Sequence, residues 1–175
     1  MKQRSIVIMF MLMLVTTQVN AQDNNGPYYY GLMVGQSKFH VAGEGDPTIA
    51  VYLGRDLRKH ITIEGGVTSL GEGGDPRQSA SASTVYGGGT ISFNSPDMSY
   101  ISAYATAGLH SWYFKEGDQN DSGIDVYYGF GLIYDIDEEL SVRAGFNRYA
   151  LNPSFPNEEF DEEITVVSFG VQYQP

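Results

Sequence analysis

His110 and Ser111 stand side by side, a base and a hydroxyl of the kinds that serine hydrolases pair, and Ser37, His40, Ser69 and Ser122 supply further groups of the same types. Spacing decides against the pair. Both lie in SYISAYATAGLHSWYF (Ser99 to Phe114), where apolar residues recur at every second position, and neighbours on a strand point to opposite faces. Nothing in the spacing of the other four selects them for a site. No catalysis is expected.

A second chemistry is metal binding. Asp118, Asn120, Ser122 and Gly123 open like a calcium loop, but the position of its closing Glu holds Gly129, so the match is incomplete. A looser divalent-cation site drawing on Asp118, Asn120 and Asp121 remains as a candidate, its metal unspecified. Gly87-Gly88-Gly89 lacks the Lys and the following helix of a phosphate-binding loop, and no cofactor is expected. A third group is Arg143 in LSVRAGFN, a full charge on a segment whose alternate residues, Leu140, Val142, Ala144 and Phe146, are apolar.

The elements that must hold these residues are strands. Eight segments alternate in turn: 28–39, 48–57, 61–70, 82–93, 99–114, 124–136, 140–151 and 164–173. No useful helical period appears. The connections run long, short, long, short, long, short, long, which is the pattern of an all-β, eight-stranded antiparallel up-and-down barrel.

Two small barrels fit, and their faces distinguish them. A soluble lipocalin-like carrier keeps its apolar face inward, whereas a membrane barrel turns it to lipid. Here Val167, Phe169, Val171 and Tyr173 oppose Ser168, Gly170 and Gln172. Val126, Tyr128, Phe130, Leu132 and Tyr134 oppose Tyr127, Gly129, Gly131 and Asp135. Ile101, Ala103, Ala105, Ala107 and Leu109 oppose Tyr100, Ser102, Tyr104, Thr106, Gly108 and His110. The Gly, Ser, Thr and Tyr faces suit a narrow interior that side chains fill, with the glycines, Gly87 to Gly89 among them, relieving crowding. The other face suits a lipid band with aromatic ends. Tyr104, His110, Asp135 and Asn147 therefore belong to the lumen, and so does Arg143, beside Ser141, Gly145 and Asn147.

An interior charge requires a partner. Glu64 shares the inward face of the third segment with Thr62, Gly66 and Thr68. The third and seventh strands run the same way, and each charge sits three residues past its strand's start, so Glu64 and Arg143 are expected at similar depth on opposite walls.

Lys2 and Arg4 before the apolar run Ile6 to Val15, with Val19-Asn20-Ala21 after it, read as a secretory signal peptide over 1–21, leaving a barrel domain over 22–175. The run is too short to be a transmembrane helix. Past residue 21 the chain keeps 8 basic against 21 acidic residues, a net charge of −13, which excludes nucleic acid as an expected partner. There is no cysteine, so an exported chain must hold itself together by pairing and packing alone.

AYATAGLHSWYF, DVYYGFGLIYDIDEELSVRAGFNRY and ITVVSFGVQY resemble the second half of the OmpA/OmpX-type small outer-membrane barrels of Gram-negative bacteria, and YLGRDLRKHITIEGGVTSLG resembles their second hairpin. The resemblance is one of pattern and covers the chain past residue 21. It implies an outer-membrane protein with both termini in the periplasm and long loops outside, surrounded by membrane lipid and lipopolysaccharide, inserted by the barrel-assembly machinery, and monomeric. No peptidoglycan-binding domain is expected, since the sequence stops at the eighth strand. The resemblance also supports an inward Glu64–Arg143 pair, as a structural plug or, in the second reading, as the gate of a narrow ion pore. A lipid A-modifying enzyme is a further alternative. The family usually ends on an aromatic residue, whereas Tyr173 is followed here by Gln174 and Pro175. GEGDP (43–47), GEGGDP (71–76), KEGDQNDSGID (115–125) and NEEFDEE (157–163) are read as acidic surface loops, and Arg55, Arg58 and Lys59 as a basic periplasmic turn. The loops point to a structural or surface-interaction role of the adhesion type.

Overall fold

The computed structural model describes residues 26–40, 43–73, 80–95, 98–117, 119–155, 158–159 and 162–175. Eight strands close a barrel: β1 (Tyr28–Phe39), β2 (Gly43–Arg58), β3 (Ile61–Gly73), β4 (Ala80–Ser95), β5 (Met98–Glu116), β6 (Gln119–Asp135), β7 (Leu140–Leu151) and β10 (Glu162–Tyr173). Each is antiparallel to its chain neighbour, and β1 pairs β10 from Tyr30 opposite Tyr173 to Phe39 opposite Ile164. Closure leaves no free edge, as required where lipid offers no hydrogen bonds. Two short pieces, β8 (Ser154–Phe155) and β9 (Glu158–Glu159), pair with each other between β7 and β10.

The outer face is apolar over its middle. On β6 the row Ile124, Val126, Tyr128, Phe130, Leu132 and Tyr134 is exposed, and at ~3.3 Å per residue and a tilt near 40° it covers about 25 Å of height. Tyr rings gather near the terminal end, where β1 begins and β10 finishes: Tyr30 meets Tyr173 at a tilt and Tyr100 meets Tyr134 edge-on. An outer surface of this kind rules out the soluble-carrier alternative, whose apolar side faces inward.

At the distal end, the strands run past their expected limits. GEGDP belongs to β2, Gly71 to Gly73 to β3, Lys115 and Glu116 to the end of β5 and 119–125 to the start of β6, with a turn at Gly117. Gly117 has φ +56°, the left-handed backbone that a tight hairpin turn needs and that glycine adopts without strain. The cause of the extension is an exchange of polarity between the faces. Phe39, Leu70, Ala80, Ala82, Trp112, Phe114, Leu151 and Ile164 point inward and pack into one buried cluster, while Lys38, Ser83, Ser111 and Tyr113 on the same strands are exposed. Above the lipid-facing band, the barrel is built like a water-soluble one.

Two facings also differ from expectation. Tyr100 is exposed against Tyr134, not in the lumen. Gly87 and Gly89 share the outer face with Ile91 and Phe93, and only Gly88 of that triplet faces inward. A run of glycines carries no polarity of its own, so only its parity with Ile91 fixes which of them points where.

Candidate functional site

The middle of the lumen is organised around one buried ion pair. β3 and β7 lie four places apart around the barrel, and their inward side chains meet across it: Arg143 donates from Nη1 to Glu64 Oε2, with both side chains buried. Tyr29 donates its hydroxyl to the same carboxylate oxygen at 3.1 Å, with Thr62 Oγ1 at 3.3 Å. The Arg143 guanidinium lies over the rings of Tyr104 (4.2 Å) and Tyr52 (4.9 Å). Such contacts favour a cation most when water is excluded. Tyr52 in turn reaches Gln172 Oε1 at 3.4 Å.

These rings keep their places because glycine stands opposite each. Across the ladder Tyr29 faces Gly54, Tyr52 faces Gly31, Tyr86 faces Gly66, Tyr104 faces Gly131, Tyr127 faces Gly108 and Trp112 faces Gly123. At Gly31, Gly54 and Gly123 the aromatic side chain alone occupies the space that a Cβ would need, and at Gly66, Gly108 and Gly131 it shares that space with backbone atoms that come closer still. Beside the ion pair a cavity of about 20 Å³ is lined by Thr68, Thr106, Tyr127, Asn147 and Ser168, room for about one water. Arg143 Nε and the Tyr104 and Tyr127 hydroxyls are buried without a hydrogen-bond partner among the described residues, and polar atoms so placed are usually met by ordered water.

The other lumen candidates lie apart from this centre. Asn147 lines the cavity and packs over Gly129. Asp135 sits near the terminal end and accepts a hydrogen bond from the Ser141 hydroxyl at 2.7 Å. His110 is buried at the distal end, its Nε2 2.8 Å from the Ala150 carbonyl and its Nδ1 2.9 Å from Thr84 Oγ1. A carbonyl only accepts, so Nε2 carries a hydrogen, and Thr84 Oγ1 stands between Nδ1 and the Ser111 carbonyl, to which it donates at 3.1 Å. Ser111 points outward, away from this imidazole.

Asp118 lies outside the described residues. Asn120 and Asp121 are successive residues of β6 opposite Lys115 and Phe114, and their side chains leave the strand on opposite faces. Asp121 Oδ1 accepts from its neighbour's Ser122 N–H at 2.8 Å. Among the described residues, no three His, Cys, Asp or Glu side chains gather as metal ligands would.

Alternation alone left Tyr29, Tyr52 and Gln172 out of the site. A usable signal was present: Tyr29-Tyr30-Gly31 and Tyr52-Leu53-Gly54 carry the same Tyr-x-Gly spacing, and antiparallel pairing sets each Tyr on the other's Gly.

Residues 7–174 match the outer membrane protein beta-barrel domain family, and the chain belongs to it. None of the curated proteins is a significant match in sequence. Among solved structures, Neisserial surface protein A (NspA) superposes with a TM-score of 0.72 at 13% identity, over 87% of this chain and all of its own. The N-terminal barrel domain of Pseudomonas aeruginosa OprF gives 0.58 at 15%, over 86% and 99%. Ail, the attachment invasion locus protein of Yersinia pestis, gives 0.55 at 14%, again over 86% and 99%. At these identities the likeness is one of fold.

Proposed function

We propose that the chain is a non-conducting, non-catalytic barrel of the bacterial outer membrane, with the Glu64–Arg143 pair as its plug and its acidic distal end as a surface for interaction outside the cell. The observation that carries this reading is the ion pair itself, held across the bore and enclosed by Tyr29, Tyr52 and Tyr104. A conducted ion would have to separate two buried opposite charges, each of which would lose several kcal/mol of compensation. Next along the path it would meet the apolar cluster around Trp112 and Phe114, where nothing replaces its hydration.

On this reading the termini lie in the periplasm and the distal hairpins outside, where excess carboxylates keep the surface hydrated and repel anionic neighbours. The partners are membrane lipid and lipopolysaccharide around the band and the assembly machinery during insertion, with the barrel a monomer. The name of Ail marks that neighbour as an attachment protein, and an adhesion-type role for this chain is carried over from there.

Single-channel recording in planar bilayers tests the plug. The wild-type chain is expected to give no steady conductance at any voltage the bilayer tolerates. Steady openings that change in size in Glu64→Ala would replace the plug with the gated-pore reading.

A further inference from the structure

We propose that the terminal end of the barrel carries a built site for the phosphate of an anionic glycerophospholipid, made by Arg55 and Arg58 on the outer face of β2 beside Tyr28. It goes beyond the plug and rests only on the barrel's standing in a membrane.

The register of β2 creates it. Arg55 pairs with Tyr28 on β1 and Ile63 on β3, and Asp56 pairs with Thr62, but the next pair is Arg58 with Ile61. Leu57 is thus the extra residue of a β-bulge. Without the bulge, Arg58 would follow Asp56 and Gly54 to the lumen side. With it, Arg58 shares the outer face with Arg55, Ile61 and Ile63, as paired residues do. A bulge that re-aims one side chain has here put a second cation on the lipid side of the wall.

The setting is that of a lipid headgroup. Leu53, Leu57, Ile61 and Ile63 are exposed around the two arginines, which places them where the apolar band ends. The Arg55 guanidinium lies over the Tyr28 ring at 4.7 Å, which fixes the fork, and its Nε is buried without a hydrogen-bond partner among the described residues. The two ion pairs among the described residues are Glu64–Arg143 and Arg148–Glu163, so neither Arg55 nor Arg58 is paired with a carboxylate among them. Asp56 belongs to the inner face, and its N–H donates to the Pro27 carbonyl. One strand step apart on the same face, about 7 Å, two guanidiniums can take one phosphate between them as forked donors. Lys59 and His60 follow in the exposed turn and add to the local field. Of the other acids described at this end, Asp135, Asp137, Glu138 and Glu139 are at the β6–β7 connection across the barrel, where Asp137 caps its own turn by accepting from the N–H groups of Glu139 and Leu140.

The test is native mass spectrometry of the full-length barrel from detergent micelles doped with equal amounts of phosphatidylglycerol and phosphatidylcholine. Wild type is expected to retain phosphatidylglycerol selectively, and R55Q/R58Q to bind it about 30-fold more weakly, as the loss of two interfacial cations implies. K38Q/R148Q, which removes the same charge from the other end of the outer face, is expected to leave retention unchanged. Equal retention of the two lipids by wild type would overturn the site without recourse to any variant, and so would a phosphatidylglycerol preference that survives in R55Q/R58Q. If that double variant fails to fold, seen as loss of the heat-dependent gel shift of a closed barrel, R55K/R58K provides the second reading. It keeps the charge but not the fork, and retention equal to wild type in it would overturn the forked site.

Discussion

A guanidinium that leans on two phenol rings while it donates to a carboxylate cannot be assessed by its ion pair alone. Taking either partner away leaves the other charged and buried, which typically costs about 3–5 kcal/mol, whereas replacing both by apolar groups of similar volume is often neutral. Arg143→Met and Glu64→Leu are each expected to destabilise the barrel by that amount, and the double variant to recover most of the loss. The chain has a single tryptophan, Trp112, buried in the distal cluster, so urea unfolding from lipid vesicles followed by its fluorescence reads all three proteins. Additive losses in the double variant would mean that the two charges do not depend on each other. The positions of this pair were legible from parity and strand direction alone, because a period of two fixes the face and the chain direction fixes the depth. Its aromatic enclosure was not, since that depends on which strand stands beside which glycine.

Strands here fit together by alternating ring and gap. Gly31 lies under Tyr52 and Gly54 under Tyr29, each ring seated where a Cβ would stand, whereas the nearest atom to a Cβ on Gly87 or Gly89 is a backbone oxygen at 4.0 Å. The same substitution should therefore act oppositely on the two faces. Gly31→Ala and Gly54→Ala are expected to destabilise by about 1–3 kcal/mol, the usual penalty of overpacking. Gly87→Ala and Gly89→Ala are expected to be neutral or to stabilise by up to ~1 kcal/mol, through the unfolded chain's lost freedom. Urea midpoints of the four variants decide it, and equal destabilisation on both faces would show that backbone pairing, not ring seating, makes glycine necessary. The eight strands themselves could be read from the sequence, because lipid on one side and a narrow bore on the other impose opposite polarities on alternate residues. Where a strand leaves the lipid the contrast reverses, as in Ser111-Trp112-Tyr113-Phe114, and a rule that seeks polar residues inside ends the strand too early.

The whole molecule stacks two kinds of core in one barrel. Within the lipid band, the interior is polar and the exterior apolar. Toward the distal end, the interior holds Phe39, Leu70, Trp112, Phe114, Leu151 and Ile164, and the exterior meets water. The lower half has its closed ladder to hold it in lipid, with every backbone group satisfied in place. The upper half has water competing for its backbone and depends on buried apolar area as a soluble domain does. The two halves should then lose structure separately. Trp112→Ala removes the largest side chain of the distal cluster and with it the Nε1–H donated to Asp125 Oδ2 at 2.8 Å, a change that typically costs about 3–5 kcal/mol in a packed core. Amide exchange in vesicles is expected to accelerate by about two to nearly four orders of magnitude over 110–116 and 119–125, in line with that loss. Over 101–107 and 128–134, which face each other across the lipid band, it is expected to stay as in wild type. Acceleration spread evenly along β5 and β6 would mean that the barrel unfolds as one cooperative unit, and that the apolar cluster supports the Glu64–Arg143 centre below it as well as the hairpins that contain it.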